Sequence, residues 1–351
     1  MMGGPTTRSS VLLAWGVGLL WAACVPAQPP VGYYSSAEGL SGQPLKVALH
    51  NIIDNHTALA YNGLWGAFSS TDAKPGNKVW DMYSDIPGGT PPYTYTLGSD
   101  QCGGYSAEGD CYNREHSFPQ SWFNSGNPMR TDLFHIYPTD GWVNQKRGNF
   151  AYGKVGSADW TSQNGSKVGL SVTPGYTGTV FEPIDEYKGD FARTYFYMMT
   201  RYYGAMSGWN SPMMSDGDLA PWAMAMLVEW HDQDPVSPKE TARNNAVYAL
   251  QHNRNPYIDR PEWVHAIWGA TLGTATPPPP TLDLRQDADG LWLDRGPAGP
   301  GTLQVVDPSG RILLDQTIGG GRSHVAFQGP SGIYVAHITS PEGRATRRFH
   351  W

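Results

Sequence analysis

The chain has 351 residues, of which 40% are hydrophobic and only 16% are charged, and its mean hydropathy is −0.43. This composition excludes a disordered chain or a coiled coil, and it suffices for one large domain or two smaller ones with a buried core. The net charge of −7 argues against a broadly basic surface, so a nucleic-acid partner would require a local basic groove or a divalent cation.

The first residues have the pattern of a signal peptide. Arg8 is the only charge before the apolar run VLLAWGVGLLWAA (11–23), which is too short to span a bilayer. A small-residue cleavage site follows, ending at Ala27. A lipoprotein signal through Cys24 is the alternative, although Trp21 suits it poorly. We therefore predict a signal peptide over 1–27 and a secreted protein, with no transmembrane segment in the mature chain.

Removal of this segment leaves two cysteines, Cys102 and Cys111, with GGYSAEGD between them. An even pair in an oxidising compartment predicts one disulfide. The bond would close a short Gly-rich loop just before Arg114. It would act as a loop staple, or it would rigidify the approach to the NREH segment, and both roles can hold together.

The predicted mature chain begins with a mixture of helices and strands. LKVALHNIIDNH (45–56) predicts a first helix. KVWDMYSDI (78–86) and YTYTL (93–97) predict strands, because each has a strand-like pattern of side chains and they are separated by Gly and Pro. Helices are predicted to dominate from 185 to 268.

Two helix starts carry clear capping signals. In the segment 131–155 an extended apolar piece precedes a polar run that Thr139 or Asp140 would cap, which predicts a short helix over 143–148. Further on, SPKE begins with Ser237 and places a glutamate three residues later. This capping box predicts another helix start.

The C-terminal part differs in character. TATPPPPT lies in a proline-stiffened linker, predicted over 273–282. Beyond it, LQVVDPSGRILLDQTI and SGIYVAHITSPEGRATRRFHW each read as a strand, a turn and a second strand. We predict a small all-β sandwich over 283–351, without a catalytic site.

In CYNREHSFPQSWF (111–123) a basic, an acidic and an imidazole side chain are consecutive. A glutamate next to a histidine is by itself weak evidence for an active site. The segment DLFHIYPTDGWVNQKRGNF (132–150) adds an asparagine at the start of a short helix. A strand-borne histidine followed by a helix-borne asparagine is the layout of a ββα-metal nuclease site. Phosphodiester cleavage requires a base for water and positive charge for the phosphate oxygens, and a hard cation such as Mg²⁺ binds oxygen ligands.

At these residues the chain resembles the bacterial endonuclease I family. CYNREHSFPQSWF and DLFHIYPTDGWVNQKRGNFAYGKV carry the likeness, together with FEPIDEYKGDFARTYFYMMTRY and WHDQDPVSPKETARNNAVYALQHNRNPYIDRPE, in the right order over roughly 45–268. The resemblance implies an α+β fold, with a ββα-metal core wrapped by helices in a nuclease domain over 28–272. It also implies metal-dependent, largely sequence-nonspecific cleavage of DNA and often of RNA, with Mg²⁺ as the expected ion and Ca²⁺ or Mn²⁺ as alternatives.

The resemblance assigns roles by position. The general base of the family falls on His116, and its metal ligands fall on Glu115 and Asn144. Neighbours on a regular strand point to opposite faces, so Glu115 and His116 can share a site only if the strand ends or bulges there.

Three further residues are candidates for the substrate side of the site. Arg147 and Asn149 fall on a downstream arginine and asparagine of the family, as substrate-binding or supporting groups. Arg114 precedes the glutamate as in many members and is expected to touch phosphate, since arginine binds phosphate bidentately.

One position departs from the family pattern. The family commonly reads Asp-Leu-His where this chain has Asp132, Leu133 and Phe134, with His135 one place later. We expect His135 to face away from the site as a structural histidine and exclude it from the catalytic set. If the lost histidine supports the site, the rate or metal affinity would be altered.

The tail resembles the C-terminal sorting domain of type IX secretion, which implies secretion machinery as a partner. The alternative is an accessory sandwich that binds sugar or a partner.

For the whole chain the sequence favours a secreted Mg²⁺-dependent nuclease acting on DNA and RNA. The alternatives are an inactive relative that binds nucleic acid or a surface polymer, and a phosphodiesterase for small phosphoesters.

Overall fold

A computed structural model describes most of the chain. The described residues are 29–269, 283–287, 289–294, 301–319, 321–340 and 343–351. The predicted signal peptide (1–27) and the predicted linker (273–282) lie outside them.

The α-helices of the described residues lie between Gly42 and Asp259. They are α1 (Gly42–Ile53), α2 (Leu64–Thr71), α3 (Gly141–Arg147), α4 (Lys188–Arg201), α5 (Pro221–Gln233), α6 (Pro238–Gln251) and α7 (Pro256–Asp259). No helix within the described ranges is both long enough and apolar enough to cross a bilayer.

The strands before the predicted linker are short. They are β1 (Ala73–Lys74), β2 (Lys78–Val79), β3 (Tyr112–His116), β4 (Ile136–Asp140), β5 (Ala151–Tyr152), β6 (Val155–Thr161), β7 (Lys167–Ser171), β8 (Thr179–Glu182), β9 (Met214–Ser215) and β10 (Asp218–Leu219). β3 and β4 form an antiparallel pair, and a separate sheet has the order β5-β8-β7-β6. The mixture of helices and strands confirms the predicted α+β class.

The core of residues 29–269 is built around α4. Every one of its 14 residues is buried, and α1, α5 and α7 pack against it. One hydrophobic cluster runs from Tyr34 to Trp268. From α4, the hydroxyl of Tyr195 donates a hydrogen bond of 2.9 Å to the carbonyl of Ser117, directly after β3. The core therefore fixes the chain at the end of the strand that carries Glu115 and His116.

Local capping signals predicted helix boundaries well. Asp140 caps α3 by accepting a hydrogen bond of 2.8 Å from the backbone N–H of Val143. Ser237 and Glu240 form the predicted capping box at the start of α6. The first helix was predicted over 45–56 and is found at Gly42–Ile53.

The strands predicted over 78–86 and 93–97 are wrong in extent. Only Lys78–Val79 forms a strand, and Thr96 contributes one isolated bridge to Lys78. The extended chain ends because the carboxylate of Asp81 accepts hydrogen bonds from the backbone N–H of Tyr83 (2.8 Å) and the hydroxyl of Ser84 (2.7 Å). Such local side-chain bonds compete with a β ladder.

The described C-terminal strands form two antiparallel sheets. They are β11 (Asp283–Gln286), β12 (Gly290–Asp294), β13 (Gly301–Val306), β14 (Ile312–Ile318), β15 (Arg322–Ala326), β16 (Ile333–Ser340) and β17 (Gly343–His350). The strand orders are β11-β12-β15 and β14-β13-β16-β17. Leu291 and Val325 of the first sheet share a hydrophobic cluster with Leu303 and Ala336 of the second. The two predicted strand–turn–strand units correspond to β13–β14 and β16–β17.

The predicted disulfide between Cys102 and Cys111 is present. Its loop is tied to the start of α3, because the backbone N–H of Gly109 donates a hydrogen bond of 2.8 Å to the carboxylate of Asp140. The bond therefore secures the loop that packs against the cap of this helix.

We predict that replacing both cysteines by serine lowers the free energy of unfolding by roughly 2–3 kcal/mol, because the unfolded chain regains the entropy of a short loop. Urea denaturation of the oxidised protein and the double variant measures this difference. Wild-type protein treated with a reductant is the control and should match the variant. An unchanged midpoint would contradict the prediction.

Candidate active site

The site is built on β3, β4 and α3. β3 pairs with β4 in a regular antiparallel register, with Glu115 opposite Tyr137 and His116 opposite Ile136. α3 follows β4 without a loop. β3 ends at His116, so the strand ends where Glu115 and His116 meet, as the shared site requires.

An open cleft of about 240 Å³ lies at the end of β3. It brings together all six residues that the sequence predicted for the site. The cleft is lined by Asn113, Arg114, Glu115, His116, Pro119, Gln120, Asn144, Arg147, Gly148 and Asn149.

One face of β3 turns toward α3. Asn113 and Glu115 are two residues apart on the strand and therefore share this face. Asn113 Oδ1 accepts a hydrogen bond of 2.7 Å from Asn144 Nδ2 on α3. This contact occupies the donor end of the Asn144 amide and leaves its Oδ1 as the end that is available to a ligand.

The Glu115 carboxylate is only 3% exposed and is held from two sides. Its Oε1 lies 3.3 Å from Arg147 Nη1 and accepts a hydrogen bond of 2.9 Å from the Tyr83 hydroxyl. Burial raises the pKa of Glu115, while the Arg147 charge and the Tyr83 hydrogen bond oppose this rise. Oε2 takes part in neither contact.

Arg147 is a buried support for Glu115 and for the end of β3. It is 1% exposed, and it donates to the carbonyls of His116 (3.2 Å) and Ser117 (2.5 Å). Burial lowers the pKa of Arg147, but the charge of Glu115 and the neighbouring hydroxyls of Tyr152, Tyr83 and Tyr195 together outweigh burial, and the pKa is raised. Of its two predicted roles, substrate contact or support, this geometry favours support.

Asn149 lies just beyond α3 on the exposed rim of the cleft. Gly148 ends the helix with a φ of +54°, a left-handed conformation that favours glycine. This turn directs the chain back toward the cleft and places Asn149 beside it.

The other face of β3 carries Arg114 and His116. His116 is 4% exposed, and its Nε2 lies 3.1 Å from the Arg130 carbonyl. A carbonyl can only accept, so Nε2 carries the proton and Nδ1 carries the lone pair. Nδ1 has no hydrogen-bond partner among the described residues. Burial, followed by the neighbouring His135 ring, lowers the pKa of His116 to about 3, so the imidazole is neutral near pH 7.

Arg114 is half-buried against two aromatic rings. Its guanidinium carbon lies 3.7 Å from the ring centre of Tyr61 and 4.5 Å from that of Trp65. Its Nη1 donates a hydrogen bond of 2.9 Å to the Tyr61 carbonyl. Arg114 thus lines the cleft in a fixed orientation.

His135 is not among the residues that line the cleft, but it lies close to the buried side of His116. Its ring lies 5.5 Å from that of His116, and its Nε2 donates to the Met129 carbonyl at 2.6 Å. The side chain is fully buried, which agrees with a structural role. Phe134 instead packs against Tyr197, with ring centres 4.6 Å apart. His135 therefore lies behind the base, out of reach of solvent.

Sequence reasoning missed four residues that contact the predicted ones: Tyr61, Tyr83, Asn113 and Arg130. Only Asn113 left a signal, because it lies two residues before Glu115 on the same strand and therefore on the same face. The others come from distant segments.

Comparison with known proteins identifies the family. Residues 41–262 match the family model described as Endonuclease I. The chain belongs to the Endonuclease I family. It is an enzyme of the nucleic-acid hydrolase class, which agrees with the resemblance found in the sequence.

Individual members of the Endonuclease I family and related nucleases are similar over different lengths. The "Extracellular ribonuclease" of Bacillus amyloliquefaciens is 37% identical over 257 residues, 70% of this chain and 81% of that protein. The protein of the same name from Bacillus subtilis (strain 168) is 37% identical over 264 residues, covering 72% and 85%. The "Extracellular deoxyribonuclease" of Aeromonas hydrophila is 27% identical over 135 residues, covering 38% and 51%.

We predict that Arg147→Met lowers the free energy of unfolding by about 3–5 kcal/mol, because it leaves the buried Glu115 carboxylate without its cation. Urea denaturation measures the loss. The double variant Glu115→Gln/Arg147→Met is the control, and it should recover part of the stability because the orphaned charge is gone. Equal losses in both variants would show that the ion pair is not the cause.

Proposed function

We propose that this chain is a secreted, Mg²⁺-dependent endonuclease that hydrolyses phosphodiester bonds of DNA and RNA with little sequence preference. The observation that carries the proposal is a histidine whose Nε2 is held by a carbonyl and whose Nδ1 has no partner among the described residues, in the same cleft as a buried carboxylate and an amide oxygen. The relatives named as extracellular ribonucleases and an extracellular deoxyribonuclease support both substrates.

Glu115 and Asn144 are the proposed metal ligands, as part of a ββα-metal core formed by β3, β4 and α3. Oε2 of Glu115 and Oδ1 of Asn144 are hard oxygen donors outside the contacts that hold each side chain. The described residues contain no group of three or more His, Cys, Asp or Glu that could hold an ion. Two protein ligands suit Mg²⁺, which keeps several waters and binds substrate phosphate. When bound, the ion would supply positive charge for the phosphate and the leaving oxygen.

His116 is the proposed general base. The Arg130 carbonyl keeps the proton on Nε2, so Nδ1 can take a proton from a water molecule. The resulting hydroxide attacks the phosphorus, and the bond from phosphorus to the leaving oxygen breaks. Arg147 favours the ionised form of the buried Glu115, and Arg114 and Asn149 line the substrate side of the cleft.

The proposal includes the organisation of the chain. We place the nuclease domain at 28–272, the linker at 273–282 and a β-sandwich at 283–351. Separate hydrophobic clusters in the two described parts support this division. The signal peptide, the secretion and the type IX sorting role of the sandwich, with the secretion machinery as its partner, remain proposals that rest on the sequence and on the names of the extracellular relatives.

The mature chain should nick supercoiled plasmid with Mg²⁺ and should lose this activity in EDTA. His116→Ala should reduce the rate by about 100-fold or more, the loss expected for a general base, and should retain DNA binding. His265→Ala is a matched control, because its imidazole is half-exposed and pairs with Asp232.

Three outcomes would contradict this assignment. Near wild-type nicking by His116→Ala would remove His116 from the base role. A folded, oxidised wild-type protein that binds DNA but cleaves nothing with any metal would instead be a nucleic-acid-binding relative. Turnover of a model diester without plasmid cleavage would indicate a phosphodiesterase for small phosphoesters.

We predict that Asn144→Ala raises the Mg²⁺ concentration for half-maximal nicking by at least about 10-fold, because one of two protein ligands is lost. A Mg²⁺ titration of the nicking rate measures this shift. Gln145→Ala changes the exposed neighbouring residue on α3 and should leave the titration unchanged. Identical titrations for both variants would place the metal ligands elsewhere.

A further inference from the structure

Two arginines beside the cleft differ from most others in residues 29–269. Five of the eight arginines in this range pair with carboxylates: Arg147, Arg193, Arg243, Arg254 and Arg260. Arg201 instead donates to His56 at 2.9 Å. Arg114 and Arg130 have no carboxylate partner among the described residues. In a chain of net charge −7, two such cations at one aromatic ring are an exception.

Both guanidiniums lie over the same aromatic ring. Their carbons are 3.7 Å (Arg114) and 4.4 Å (Arg130) from the ring centre of Tyr61. The Tyr61 ring also stacks on the His116 imidazole, with centroids 6.2 Å apart and planes 20° apart. Tyr61, Arg114 and Arg130 form what we call the Tyr61 cluster, and it adjoins the proposed base.

The cluster contains two cations and no anion among the described residues. Burial lowers the pKa of Arg114, and the positive charge of Arg130 adds to this effect. The Nε of Arg130 is buried and has no hydrogen-bond partner. An unpaired buried donor costs free energy, and two like charges at close range repel each other. A phosphate group would both accept from the unpaired donor and offset the two positive charges, because it accepts several hydrogen bonds and carries a negative charge.

We propose that the Tyr61 cluster binds a backbone phosphate of the nucleic-acid substrate, next to the phosphate that is cleaved. The proposal rests on the proposed nuclease function and extends it to Tyr61 and Arg130, which lie outside the predicted site. The alternation of β3 separates the two tasks: Asn113 and Glu115 lie on the face toward Asn144 and the proposed metal site, and Arg114 and His116 lie on the face toward Tyr61. A nucleic-acid strand that crosses the end of β3 would contact both the proposed metal site and the Tyr61 cluster.

Tyr61 is a positioning residue in this arrangement. Both guanidinium carbons lie within 4.4 Å of its ring centre, and its carbonyl accepts from Arg114 Nη1. Stacking on an aromatic ring orients the planar donors of arginine without neutralising their charge. Arginine is therefore the suitable cation here, and lysine would keep the charge but lose the orientation.

The test measures binding without cleavage. The mature wild-type chain and Arg130→Gln are titrated in EDTA against a short fluorescent single-stranded oligodeoxynucleotide, at several salt concentrations. We expect Arg130→Gln to weaken binding about 10-fold, as for the loss of a charged hydrogen bond. The slope of log K against log salt should fall by roughly 0.7, the value for one phosphate contact on a single strand.

Three variants serve as controls. Arg260→Gln removes the same charge from an exposed arginine that is already paired with Glu38 and Glu262, and should leave the slope unchanged. Tyr61→Leu keeps both cations, so affinity should fall while the slope is kept. Arg130→Lys should restore the slope but only part of the affinity, which also tests the idea if Arg130→Gln fails to fold.

The outcomes separate this proposal from the nuclease proposal. A slope that Arg130→Gln does not change, in a protein that nicks plasmid, would overturn the phosphate site and leave the nuclease function standing. A wild-type protein that cleaves nothing, but whose binding depends on Arg130 as expected, would overturn the nuclease function and keep the phosphate site. Equal effects of Arg130→Gln and Arg260→Gln would indicate nonspecific charge alone.

Discussion

The constraint on which the site depends is a carboxylate buried at the end of a strand. An isolated buried carboxylate is strongly unfavourable, so Glu115 requires a cation and a hydrogen-bond donor. Arg147 and Tyr83 supply these. Arg147 also donates hydrogen bonds to the carbonyls of His116 and Ser117 at the end of β3. The same buried guanidinium thus holds both the acid and the end of β3, where Glu115 and His116 both line the cleft.

Charge is distributed so that an acidic protein has a cationic site. The net charge of −7 coexists with internal ion pairs that consume most arginines of residues 29–269. Arg114 and Arg130 remain outside such pairs and are held by an aromatic ring. Aromatic contacts orient a cation without cancelling its charge, whereas a carboxylate would. The composition argument against a broad basic surface is therefore compatible with a local attraction for phosphate.

The sequence could predict what is encoded locally. Asp140 and Gly148 delimit α3, and the alternation of residues along β3 sets which side chains share a face. Contacts between distant segments could not be predicted, because no periodicity reports them. Tyr83 is 32 residues from Glu115, and Tyr61 is 53 residues from Arg114. Local alternation also misled at 93–97, because β2 is only two residues long and this segment forms a single isolated bridge to it, between Thr96 and Lys78.

The tautomer of His116 depends on a turn that lies outside the motif. The carbonyls of Met129 and Arg130 are consecutive, and each accepts from the Nε2 of one histidine, His135 and His116 respectively. The two imidazoles are thereby oriented by one short segment. His135 is buried and does not reach the cleft, yet it holds the residue that precedes the acceptor for His116. The departure from the family pattern at Phe134 and His135 therefore places an imidazole behind the base, where it supports the turn that orients it.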